Sequence, residues 1–358
     1  MPRTGLATLP LHYGKAPRWL FSRMSMLARE ILAAIASEFG PEEILKKFSD
    51  PFWFQAFGCV LGFDWHSSGL TTTVLGAAKE GIRGLESDIG IFIAGGKGST
   101  SRKTPGEIES YGEKHSFEPR RLVYASRLSA KVDNTAVQDG YQLYHHVFLF
   151  TRNMHWAVVQ QGMNPLNRMA RRYHWLGDDV KDFVVEPHKA VCCDTRQASL
   201  NMVDARSEGA RRVSVELAKT EPDRLLREIK SVNILELTRR HNITGSDINP
   251  ARLRGTLIKT YERQPADFES LLAIQGVGPG TIRALSLVSE LIYGKPPSYS
   301  DPARYSFAHG GKDGTPFPVD RKTFDRTIVV MKKAVQAARL GNSDKLKAVR
   351  RLADFYHV

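Results

Sequence analysis

The segments YQLYHHVFLF at Tyr141–Phe150, TRNM at Thr151–Met154 and HWAVVQQ at His155–Gln161 decide the fold. Two runs rich in aromatic and β-branched residues flank a compact polar turn, the pattern of an antiparallel hairpin. A third strand is expected just upstream at Arg121–Ser129, completing a meander. Further upstream, IGIFIA at Ile89–Ala94 is short, apolar and stopped by Gly95-Gly96, which marks a buried strand. The basic, glycine-rich Gly95–Thr104 lacks the spacing of a phosphate-binding loop and reads as a mobile surface segment.

Helices surround this sheet. Met24, Leu27, Ile31, Ala34, Ile35 and Phe39 recur at helical spacing, and Pro41 and Pro51 each open a further helix. Ser68–Ile82 continues the pattern, and from Ala198 onward the chain reads as almost wholly helical. The expected segments there are Val213–Ile229, Asn249–Tyr261, Asp267–Ile274 and Thr281–Tyr293. The fold class is therefore α+β: a mixed helix and antiparallel-sheet domain over residues 1–230, then an all-α domain over 231–358.

Composition narrows the partners. The 358 residues carry a formal net charge of +13, which favours polyanions. No apolar run approaches the roughly 20 residues that span a bilayer, so a membrane is not expected. Cys59, Cys192 and Cys193 form no C-x-x-C pair, which suits a reducing cytoplasm and leaves no cysteine zinc cluster.

The strongest local pattern is Leu271-Leu-Ala-Ile-Gln-Gly-Val-Gly-Pro-Gly-Thr-Ile-Arg-Ala-Leu285. Apolar residues close one helix, Gly276, Gly278 and Gly280 make a tight turn, and Ile282 and Leu285 resume helical spacing. Amides of such a turn, with the N-terminus of the next helix, form an anion site. The segment resembles the helix-hairpin-helix motif of DNA repair proteins. That resemblance implies sequence-independent contact with DNA phosphates through Gly276, Gly278, Gly280, Thr281 and Arg283.

The likeness extends toward base-excision glycosylases, in which a catalytic aspartate follows the hairpin. Asp301 lies near the expected distance, and Asp320, in PVDRKTF at Pro318–Phe324, has the matching local context. Gly280 stands where lyase-type members carry a nucleophilic lysine, so imine chemistry is not expected at that position. The whole chain also resembles a prokaryotic family, largely archaeal and thermophilic, that is known only as a domain of unknown function. That likeness runs from Arg3–Pro10 through Ala94–Lys97 and Val158–Met163 to Pro318–Arg321.

The meander holds more reactive side chains than a scaffold needs. Lys131, Asp133 and Asp139 flank its first hairpin, His145 and His146 sit mid-strand, and Gln160 and Gln161 end the next strand. Neighbours on a strand face opposite ways, so only one of each pair can join a given site. Asp178, Asp179, Glu186 and His188 follow, and Asp64-Trp-His66 opens a further polar cluster. Carboxylates with histidines can hold Mg²⁺ or Mn²⁺ and activate water against a phosphodiester. The resulting expectation is a DNA repair or processing enzyme. A metal-assisted nuclease using Asp133, Asp139, His146 and Gln160 comes first, a glycosylase using Asp320 or Asp301 second, and a non-catalytic DNA-binding protein third.

Overall fold

A computed structural model describes residues 16–63, 68–192, 196–232, 250–303 and 321–337, with 345, 347, 348 and 350. Asp320 and the Asp64–His66 cluster lie outside the described residues.

Helix α1, Arg18–Phe39, buries Met24, Leu27, Ala28, Ile31, Leu32 and Ile35 along one stripe. Prolines start α2, Pro41–Ser49, and α3, Pro51–Leu61, as expected from their fixed φ. Asp50 caps α3 by accepting from the amides of Phe52 and Trp53, at 2.8 and 3.2 Å. Helix α4, Ser68–Gly81, and the single turn α5, Glu86–Ile89, lead into strand β1, Phe92–Lys97.

The Gly95–Thr104 segment is more ordered than its composition implied. Gly95, Gly96 and Lys97 pair with Val147, His146 and His145, and a 3₁₀ turn over Gly98–Lys103 then opens α6, Thr104–His115. Gly95 has φ +94°, and a Cβ there would stand 2.2 Å from the His146 carbonyl oxygen. Its amide donates to Glu107 at 2.8 Å, and its carbonyl accepts from Lys79 at 2.9 Å.

The largest correction concerns Arg121–Ser129. It is not a strand but part of helix α7, Arg120–Lys131. Leu122, Val123, Ala125, Ser126, Leu128 and Ser129 are its buried positions, and that spacing is helical, not alternating. A π-helical turn, Val132–Ala136, ends it and passes into the short strand β2, Val137–Gln138.

Strands β3, Gln142–Phe150, and β4, Trp156–Asn164, match the expected hairpin. They continue into β5, Met169–Leu176, and β6, Ala190–Cys192, neither of which the sequence pattern had indicated. The main sheet is antiparallel in the order β1-β3-β4-β5-β6, and β2 pairs with β7, Leu200–Asn201.

Beyond β7, the segment expected to form one helix at Val213–Ile229 is two. Helix α8, Glu208–Ala218, stops before α9, Pro222–Val232, because Pro222 starts a new first turn. Helices α10, Pro250–Arg263, α11, Phe268–Ala273, α12, Pro279–Leu291, and α13, Arg321–Ala337, complete the described chain. None of the helices among the described residues is long and apolar enough to cross a membrane.

The sheet is covered on both faces. Val147, Leu149, Ala157 and Val159 join α1 to α4 in one core, whereas Phe148, Phe150 and Val158 join α6 to α12 in the other. Leu225 and Leu226 of α9, Leu253 and Leu257 of α10 and Leu271 of α11 belong to that second core, so helices on both sides of residue 230 share it.

Close approach of α1 and α4 depends on Gly81, where a Cβ would come within 2.3 Å of the Ser25 carbonyl. Gly81→Ala should therefore cost about 1–3 kcal/mol and lower the melting temperature. In α6, Gly106 faces open space, so Gly106→Ala should be neutral or add up to about 1 kcal/mol. Equal melting temperatures for the two variants in a thermal scan would show that the α1–α4 contact is looser than described.

Candidate functional site

The π turn points Asp133 into the protein, where it has no exposed surface. Its Oδ2 accepts from Gln160 Nε2 at 2.6 Å and Trp175 Nε1 at 3.0 Å, and its Oδ1 meets His188 Nε2. Gln160 Nε2 also donates to the Ser129 carbonyl at 3.2 Å. A backbone carbonyl can only accept, so the amide nitrogen of Gln160 must face Asp133 and Ser129. Its Oε1 is then left for His146 Nδ1 at 2.8 Å, which must carry the proton. The other ring nitrogen, Nε2, is bare and accepts from Ser126 Oγ at 2.9 Å. Burial pushes His146 down to about 4, against the opposing pull of Gln160 and Asp133, so the ring is neutral at pH 7 with Nε2 unprotonated.

Three of the expected catalytic residues, Asp133, His146 and Gln160, thus meet in one chain of hydrogen bonds ending at Ser126. The chain reaches a cleft of about 930 Å³, lined by Ser126 and His146 on one side and by Gln275, Gly278 and Pro279 on the other, a size within the general range of ligand sites. Among the described residues, the charged side chains lining it are the cations Arg102, Arg127 and Lys131, with no carboxylate. Lys131 is half-buried, and desolvation lowers its pKa.

Asp139 and Asp301 are also brought together, but at a different place. Arg171, fully buried, donates to Asp139 Oδ2 at 2.7 Å and Asp301 Oδ2 at 2.8 Å. Asp139 also accepts from Tyr173 at 2.7 Å, and Asp301 from the amides of Gln197 and Ala303, at 2.9 and 2.8 Å. Burial pushes the Asp139 carboxyl up, and the Arg171 guanidinium pulls it back down. These two aspartates anchor the segment after α12 to the sheet, where Ser298 also bridges to Asn201.

Gln160 and Gln161 are divided by the pleat, although His145 and His146 both line the cleft. His145 lies opposite Gln161, which bonds Tyr144, Thr71 and the Ser68 carbonyl on the α4 side, away from His146 and Gln160. Among the described residues no group of three His, Cys, Asp or Glu side chains comes together in a way that could hold a metal ion. Asp133 and Asp139 already serve N–H and O–H donors, so this donor set does not fit Mg²⁺ or Mn²⁺.

The expected hairpin is a helix–turn–helix of α11, residues 274–278 and α12. Asp267 and Ser270 form a capping box at its start, Gly276 takes φ +102°, and Val277 is buried. Pro279 has no N–H, and the amides of Gly280 and Thr281 meet no acceptor among the described residues. Exposed Lys259 stands beside Gly276, its Nζ 4.0 Å from where a Cβ would lie. Thr281 is buried, and Arg283 Nε donates to Gln138 Oε1 at 2.9 Å, so Arg283 faces β2. Gln138 Nε2 completes the link by donating to the Pro279 and Thr135 carbonyls, each at 3.0 Å.

Sequence reasoning missed Ser126, Trp175, Gln138 and Lys259 as members of the site. Ser126 was hidden by the mistaken strand; its helical spacing with Leu122 and Ser129 is the signal that would have placed it.

Fold and site together define an α+β protein with a buried polar relay opening on a cationic cleft beside a glycine turn. The chain belongs to the family described as Protein of unknown function (DUF763), which matches residues 5–319. No curated protein and no solved structure matches it.

The buried histidines set an acid limit on stability. Burial lowers His145 to about 3, His146 to about 4 and His174 well below its ordinary value. Below about pH 6.5 the unfolded chain binds protons that the native chain refuses, so stability held above that pH drains away toward pH 4. Once the unfolded rings are charged, each histidine contributes about 1.4 kcal/mol of loss per pH unit. Urea unfolding at pH 7.5, 6 and 5 should show this fall, and His146→Gln should make it shallower. A flat profile would contradict the neutral, buried rings.

Proposed function

We propose that this protein is a cytoplasmic DNA-processing enzyme that grips the phosphate backbone at the turn between α11 and α12 and hydrolyses a phosphodiester in the adjoining cleft. One observation carries this reading. The turn residues Gln275, Gly278 and Pro279 and the relay residues Ser126 and His146 line the same cavity, whose charged lining among the described residues is cationic. Unpaired amides at a helix start, with Lys259 beside them, suit a phosphate. The helix-hairpin-helix likeness supports the same partner. His146 is the general base, held in the required tautomer by Gln160 and Asp133.

Binding should be insensitive to sequence and weaken steeply between 50 and 200 mM salt, on the order of 10³-fold or more if several phosphates are contacted. A Cβ at Gly280 meets nothing within 4 Å, and at Gly278 only the Gly276 oxygen at 3.8 Å. Gly278→Ala with Gly280→Ala should therefore leave melting unchanged while obstructing the phosphate, and anisotropy with labelled duplex should show weaker affinity. Lys259→Ala should lower the salt slope by about one. His146→Gln should keep binding and cut strand cleavage by about 10²–10⁴-fold. Wild-type affinity in the folded double-alanine variant would remove the turn from the reading.

A further inference from the structure

A serine inside a helix ordinarily returns its hydroxyl to a carbonyl one turn back. Ser129 does so, donating to the Ser126 carbonyl at 3.1 Å. Ser126, on the same helix, instead sends its O–H across to β3, where the bare Nε2 of His146 accepts it at 2.9 Å. That nitrogen is bare because Gln160 orients the ring from behind, and Gln160 is itself oriented by Asp133 and the Ser129 carbonyl. A hydroxyl needs this arrangement to act as a nucleophile: a base within hydrogen-bond reach, and a third group that holds the base. Thr104 of α6, another hydroxyl on the cleft wall, instead donates to the Ser101 carbonyl at 2.7 Å.

We infer, on the DNA-processing reading above, that Ser126 is the nucleophile of the cleft and that cleavage passes through a covalent phosphoserine ester with the nucleic acid. Ser126 Oγ bonds to phosphorus while its proton passes to His146 Nε2. The bond from phosphorus to the leaving sugar oxygen breaks, and that oxygen takes the proton from His146. Water then attacks the same phosphorus and gives a proton to Nε2, and Ser126 departs as a hydroxyl after taking that proton back. The sequence consumes one water and needs no oxidant or reductant. Arg102, Arg127 and Lys131 supply the positive lining that a phosphoryl group requires. His146 Nε2, already accepting from Ser126 Oγ at 2.9 Å, is the acceptor of the first proton, and the Gln160 and Asp133 contacts behind the ring favour its charged form against burial.

The test uses diisopropyl fluorophosphate, a phosphorus electrophile that needs no DNA, on the full chain. Intact mass should show a single diisopropylphosphoryl group, mapped to the peptide containing Ser126. Ser126→Ala and a folded Ser126→Cys should escape labelling, and His146→Gln should label about 100-fold more slowly or less. Labelled DNA incubated with wild type and quenched in detergent should yield a protein–DNA adduct that Ser126→Ala does not form. No labelling of folded wild type, equal labelling of His146→Gln, or wild-type cleavage by Ser126→Ala would each overturn the assignment. Labelling at Ser126 without a DNA adduct, in protein that binds DNA, keeps the nucleophile and overturns the phosphodiester as its substrate. Absence of DNA binding in the same samples defeats the DNA reading itself.

Discussion

Everything around the cleft depends on one buried carboxyl group. Asp133 has no contact with water, and three N–H groups from different parts of the chain converge on it: Gln160 from β4, Trp175 from β5 and His188 from the segment before β6. Loss of His188 would leave Oδ1 without its partner, at about 1–3 kcal/mol, whereas Oδ2 is served twice. The consequence reaches beyond stability. Because Asp133 can be served only by the amide nitrogen of Gln160, it determines which nitrogen of His146 carries hydrogen, two side chains away. The π turn is what makes this possible, since its extra width turns Asp133 inward where a regular helix end would leave the chain on course.

The pleat of the sheet supplies the second constraint. At one level of the sheet, His145, Gln161 and Arg172 form a cross-strand row, and His146, Gln160 and Tyr173 form the next. Adjacent rows face opposite layers. In the first row Gln161 bonds Thr71, and Arg172 bonds Gln55 and lies over the Phe54 ring on the α3–α4 side, whereas Gln160 and His146 of the second meet Asp133 and Ser126 on the α7 side. Two polar layers therefore sit back to back within an otherwise apolar sandwich. His146 of the second row and His145 of the first both line the cleft between α7 and the α11–α12 turn.

The legible parts of the sequence were those governed by local rules. Proline-started helices, the β3–β4 hairpin and the glycine turn at 274–278 depend on neighbours in the chain, and they appear where expected. Helix α7 was misread because Val123 and Tyr124 carry strand propensity, while its burial follows a helical period that only packing against β3 and β4 enforces. Strand β5 escaped because Arg171, Arg172 and His174 break any apolar alternation, each being buried by remote partners. Arg171 and Asp301, for instance, are 130 positions apart. The same distance explains the aspartates: composition could nominate Asp133, Asp139 and Asp301 together, but only the fold separates the one that orients Gln160 from the two that share a guanidinium. Ser126 needed the helix to be recognised first.

Gln138 gives the cleft a mechanical property. Its carboxamide holds the Thr135 carbonyl of the π turn, the Pro279 carbonyl of α12 and the Arg283 guanidinium at once. The turn between α11 and α12 and the π turn that carries Asp133 are thus tied to each other through a single side-chain amide. One residue of a two-residue strand thereby belongs at once to the floor of the relay and to the wall of the cleft opposite it, so its loss would free donors and acceptors on both.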